Sequence, residues 1–299
     1  MMEYIKVLIG VISFSILYPI KSVLAHNGVD EQNSTNNIYE QWNPILVVAL
    51  LVIIAAYIYQ FKKEQDFVKK LIFFLSSLFI FYLAMGSPIH LLGDHYLFSA
   101  HMLEQSLIYT ALPPLLLLSL PKRFVKPVID FGLKYKLLSF LKYPLIPLLL
   151  FNMLFSFYHI PIIFNTVISN NILHNVTQLV LTVTALFMWV PLIPKVKDLD
   201  KLTEVQKIGY IFAAGILLTP ACALIIFSDQ TFYPIYTEAP QLFAILPPLE
   251  DQRTGGIIMK VVQEIVYGTM IGYIFFKWAK QERLRDVIPD KTITGVVKS

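Results

Sequence analysis

The chain has 299 residues, 56% of them hydrophobic and only 15% charged, against about 25% charged in an ordinary soluble domain. Together with a mean hydropathy of +0.64, that composition excludes a water-soluble enzyme. The formal net charge of +4 points to no partner by itself, and the lone Cys222 excludes an intramolecular disulfide or a cysteine-based zinc or iron–sulfur motif.

Residues 1–25 carry Lys6, an apolar stretch over 7–20 and the triplet Val23, Leu24, Ala25, the pattern of a cleavable export signal. The alternative is an uncleaved first helix. Cleavage after Ala25 would make His26 the first residue. Residues 26–43 are polar, with Asp30, Glu31 and Glu40, and are expected to form an extracytoplasmic N-terminal segment.

Apolar runs then recur at 44–61, 68–85, 98–120, 143–159, 172–194, 207–228 and 255–278. Each approaches the ~20 residues that a helix needs to cross the ~30 Å hydrocarbon core. The expected fold is therefore all-α: a polytopic membrane bundle over 44–278 with seven transmembrane helices, or eight if the export signal is retained, and a cytoplasmic tail at 279–299.

Loop charge sets the orientation. Every second connection is basic, with Lys62, Lys63, Lys69 and Lys70, then Lys122, Arg123 and Lys126, then Lys195, Lys197 and Lys201, and last Lys277, Lys280, Arg283 and Arg285. Connections 86–97, 160–171 and 229–254 contain only Arg253 among lysines and arginines, so the positive-inside rule puts them outside and the C-terminus inside the cell membrane. The basic clusters thus face membrane lipid and need no nucleic acid to explain them. Segment 121–142 interleaves Phe124, Val128 and Phe131 with its lysines, as in an amphipathic helix lying on the inner leaflet.

All six histidines fall toward the outer side in this orientation. His101, His159 and His174 lie on three different spans at similar depth. Asn152, Ser156 and His159 share one helical face, as do His174, Gln178 and Thr182, and polar stripes in lipid turn toward the bundle. Three imidazoles at one level suggest a metal site, although hydrogen-bonded interhelical contacts would use the same residues. Met102 adjoins His101 and Met259 lies in the second outer turn of the last span, and a mixed His/Met environment favours copper, above all the reduced ion. Glu104, one turn below His101, and Asp251, just before the last span, complete the candidate metal ligands. Each also has a structural reading: Glu104 as acceptor for an imidazole, Asp251 as a charge favouring a helix N-terminus. Glu264 pairs with Lys260 at i, i+4, and a shielded ion pair accounts for both.

The string Met85-Gly86-Ser87-Pro88, then Phe98-Ser99-Ala100-His101-Met102 leading to Pro113-Pro114 and Pro121, resembles the signature helix of the CtaG family of cytochrome c oxidase assembly factors. His159-Ile160-Pro161, His174, and Asp251-Gln252 followed by Gly255-Gly256 and Met259 resemble that family's other islands, in the same order. Gln105 stands where many of its members have a second histidine. The resemblance implies a role in maturing haem–copper oxidases, with copper supply to oxidase subunits as the usual proposal; no enzymatic activity is expected, and an extracytoplasmic copper donor is an expected partner. Connection 229–254 is long enough to cover the site or to dock a partner. Two other classes remain open: a seven-helix zinc hydrolase using Glu104 or Asp251 on metal-bound water, and a haem-binding or haem-handling protein using two of the histidines as axial ligands.

Overall fold

The computed structural model describes residues 42–287, and every regular element among them is helical. The export signal expected at 1–25, and His26 with it, lie outside the described residues.

Helix α1 (Pro44–Phe61) starts at a proline whose missing N–H costs nothing in the first turn, and the Asn43 side chain accepts from Leu46 N at 3.0 Å. Helix α2 (Phe67–Gly86) returns and stops before Pro88, which forces Ser87 into an extended conformation. A short helix, α3 (Pro88–His95), restarts at once, with the Ser87 hydroxyl capping Ile89 N.

The third span is interrupted. Helix α4 (Phe98–Ser106) passes through a π-helical turn (Leu107–Ala111) into α5 (Leu112–Ser119). Pro113 and Pro114 cause it: neither can donate to the carbonyl four residues back, and their rings crowd that turn. The ladder slips by one residue, so Leu112 N–H bonds to Leu107 O. At Pro121 the chain bends by 109° into α6 (Lys122–Lys134), the expected amphipathic helix. It buries Ile129 and Gly132, and Arg123 is anchored by an ion pair with Glu64 and a 2.9 Å bond to Gln60 O.

Pro161 breaks the fourth span in the same way, into α7 (Leu145–Tyr158) and α8 (Pro161–Ile168), which meet at 79°. Then follow α9 (Asn171–Trp189), α10 (Glu204–Ile226, opened by a Thr203/Gln206 capping box), the single turn α11 (Pro234–Thr237) and α12 (Pro248–Val287). The helix α12 thus runs nine residues past the boundary expected at 278.

Among the described residues, five helices are long and apolar enough to cross a membrane, and up to seven spans result if each bent pair counts as one. The distribution of side chains agrees with lipid as solvent. Val48, Val52, Phe79, Phe212 and Ile265 are each more than 60% exposed, whereas Ser77, Thr110, Asn152, Gln178 and Gln263 are buried. Helix α12 lies between α4 and α10. Two adjacent glycines make this possible: a Cβ on Gly255 would lie 2.6 Å from Phe98, and one on Gly256 would lie 2.8 Å from Ile226.

Candidate metal centre

Connections 86–97, 160–171 and 229–254 converge at one end of the bundle. Tyr236 donates to Gly93 O at 2.8 Å, Tyr233 donates to His159 O at 2.9 Å, and Asn165 donates to Phe232 O at 3.2 Å. The stacked rings of Phe98 and Tyr233, 4.5 Å apart, lie over Phe164. The start of connection 229–254 is therefore a buried cover, while Leu242, Phe243 and Ile245 further along it are exposed.

Beneath that cover is a cluster of imidazoles and carboxylates. His101 is fully buried; its Nε2 lies 2.9 Å from Gln105 Nε2 and 3.1 Å from the Tyr158 hydroxyl. Its Nδ1 is buried with no hydrogen-bond partner. The His174 ring lies 6.3 Å from that of His101 and is held by Gln178 one turn on. His90, His159 and His174 are all within electrostatic reach of His101, and Asp94 and Glu104 are within reach of His174.

The three histidines singled out by the sequence nevertheless do not close one coordination shell. Among the described residues, the group whose donor atoms all lie within 4.8 Å of one another is His90, Asp94 and Glu104. His90 Nδ1 is 2.9 Å from Glu104 Oε2, and His90 Nε2 is 3.2 Å from Asp94 Oδ2. His159 is oriented otherwise: its Nδ1 lies 2.7 Å from Phe155 O, while its Nε2 is buried without a partner.

Sequence reading missed His90 and Asp94 as ligands. They share a face of α3 at i, i+4, and their meeting with Glu104 depends on how closely α3 approaches α4. Gly93 sets that approach, since a Cβ there would lie 2.9 Å from both Cα and N of His101. A histidine and an aspartate at i, i+4 around a glycine were the available signal.

The remaining candidates lie apart from this group. Asp251 accepts from Phe98 N at 2.7 Å, from Ser99 N at 3.2 Å and from the Ser99 hydroxyl, so its carboxylate caps the N-terminus of α4 from another helix. Met102 is fully buried against Gly255 on the α12 side of α4, and Met259 is buried on α12 itself. Cys222 is a buried free thiol in the core.

Several helices apolar enough to cross a membrane, with imidazoles and carboxylates gathered under an aromatic cover at one end, mark this as a helical membrane protein. The chain belongs to the cytochrome c oxidase caa3 assembly factor family (Caa3_CtaG), whose family model matches residues 46–281. No curated protein and no solved structure matches it.

Proposed function

We propose that this assembly factor acts in the cell membrane by holding copper at the covered end of the bundle and helping to deliver it to a haem–copper oxidase. The observation that carries the reading is the meeting of His90, His101 and His174 with Glu104 beneath Tyr233 and Tyr236. A buried imidazole nitrogen without a partner forfeits about 1–3 kcal/mol, so His101 Nδ1 is best explained by a bond made to a guest. His159, with its own unpaired nitrogen at the same end, would be a further stop for a moving ion. The fully buried Met102, packed against Gly255 of α12, would contribute only if α4 and α12 parted, so imidazole and carboxylate carry the copper reading in the closed state.

Each bent pair counts here as one span, giving seven, with the cluster outside the cytoplasm and the C-terminus inside. A reporter active only outside the cytoplasm should work when fused after Asn170 or Pro240 and fail after Lys126 or Lys201. The function is tested by replacing His101 or His174 with Ala and measuring oxidase copper in the same cells. The expected result is an oxidase short of copper beside a normal amount of this protein. Unchanged oxidase copper would leave a purely structural assembly role. An extracytoplasmic donor would load the site, and the exposed Leu242, Phe243 and Ile245 would meet the oxidase subunits.

A further inference from the structure

The group formed by His90, Asp94 and Glu104 has a chemistry different from that of a soft copper carrier. Its donors are one imidazole and two carboxylates, and Met102, next to His101 in sequence, packs against Gly255 of α12. Each of the three residues offers one donor atom, and these all lie within 4.8 Å of one another. Glu104 faces His90 Nδ1 at 2.9 Å and Asp94 faces His90 Nε2 at 3.2 Å, so one ring nitrogen and the carboxylate beside it would take the ion while the second carboxylate closes on it by side-chain rotation. Calcium would demand six to eight oxygens at longer range.

Charge argues for the same occupant. Even with His90 doubly protonated, two carboxylates leave the group net negative. The only Lys or Arg in the three converging connections is Arg253, and it is engaged by Glu250, Asp229 and Ser228 O. Asp94 is also the penultimate residue of α3, where unpaired carbonyls already place negative charge. Its Oδ1 is buried with no hydrogen-bond partner. Glu104 is 2% exposed, but His90 and Asp94 are about a quarter exposed, so an ion has a way in.

We propose that His90, Asp94 and Glu104 form a binding site for a divalent first-row cation of borderline softness, the class that imidazole and carboxylate together favour. Loading replaces the proton that His90 shares with a carboxylate by the metal, and a neighbouring water or His174 completes the shell. The inference goes beyond the copper-delivery reading and stands whether or not the oxidase depends on it.

Zinc is the probe. The full chain, purified in detergent and stripped with chelator, is dialysed against Zn2+ in the presence of excess Mg2+. One zinc per chain is expected, with X-ray absorption showing only nitrogen and oxygen neighbours. Asp94→Asn and His90→Gln keep shape and exposure, and each should weaken binding at least tenfold while the thermal midpoint stays that of the parent. Glu238→Gln, which neutralises an exposed carboxylate in connection 229–254, should bind as the parent does. Absence of zinc from the folded parent, a sulfur shell in the absorption spectrum, or parental affinity in both Asp94→Asn and His90→Gln would each overturn the site. Oxidase copper in cells is a separate readout, so loss of the delivery reading and loss of this site are told apart.

Discussion

The hydroxyl of Tyr236 donates to the carbonyl oxygen of Gly93 at 2.8 Å, across 143 positions of sequence. It fastens connection 229–254 to α3 at the residue whose missing side chain lets α3 rest on the backbone of His101. The cover, the helix approach and the His90, Asp94 and Glu104 group thus meet at one glycine.

Gly93→Ala should therefore disturb all three. The added methyl would lie 2.9 Å from two backbone atoms of His101, which cannot rotate away as a side-chain tip would. Overpacking of this kind costs about 1–3 kcal/mol, and here the relief is to push α3 off α4. The thermal midpoint in detergent and zinc affinity should both fall. Gly268→Ala, where a Cβ meets nothing within 4 Å, is the control and should change neither. A Gly93→Ala protein with parental affinity would mean that α3 is not positioned by this contact.

Asp251→Asn separates a cap from a ligand. The amide retains one acceptor oxygen but offers an N–H₂ where Phe98 N or the Ser99 group now donates. Loss of part of a charged cap should cost about 1–2 kcal/mol, visible as a lower thermal midpoint with zinc stoichiometry unchanged. If metal is lost while the midpoint holds, Asp251 coordinates after all.

Much of this fold could be read from the sequence because lipid imposes simple rules. Apolar runs gave the long helices, and the stripe Asn152, Ser156, His159 gave an inward face that the burial of Asn152 and His159 bears out. What could not be read was pairing between elements. Segment 86–97 looked like a mere connection because eight residues are too few to span a bilayer, yet it supplies two of the three clustered donors. Asp251 looked like a charge for its own helix, and it serves the start of α4, more than 150 positions away. Periodicity reports which face of a helix is polar but not how far that face lies from the next helix, and donor sets depend on that distance.

Lys195 offers a test of pH dependence away from the site. Burial, with the charge of Lys70 adding to it, lowers its ammonium to about 8. Because the folded-state value lies below that of the unfolded chain, keeping Lys195 charged opposes folding at neutral pH. That penalty fades as pH rises from about 8 toward the ordinary lysine range, so stability should increase over this window through this group. Lys70→Met should move the midpoint of Lys195 upward, as followed by NMR of methyl-labelled lysines. A midpoint that does not respond would show that Lys70 contributes nothing there.

Tyr236→Phe tests whether connection 229–254 gates the metal group. Burial raises the Tyr236 hydroxyl far above the usual tyrosine range, so it stays protonated and donates to Gly93 O at any pH the protein survives. The substitution removes that bond and leaves the ring, which packs edge-on against Phe98 and beside His101. A lost hydrogen bond of about 1 kcal/mol would make the opened cover roughly fivefold more populated. Tyr236 is not a donor to the ion in this arrangement, so equilibrium zinc affinity should hold while binding and release accelerate together by that factor. Stopped-flow mixing of the zinc-loaded protein with a fluorescent chelator reads the release step directly. Tyr233→Phe, which frees His159 O at the other edge of the cover, should act in the same direction. Unchanged release in both variants would mean that the ion leaves past the partly exposed His90 and Asp94 without the cover moving, and the gate would be discarded while the site remained.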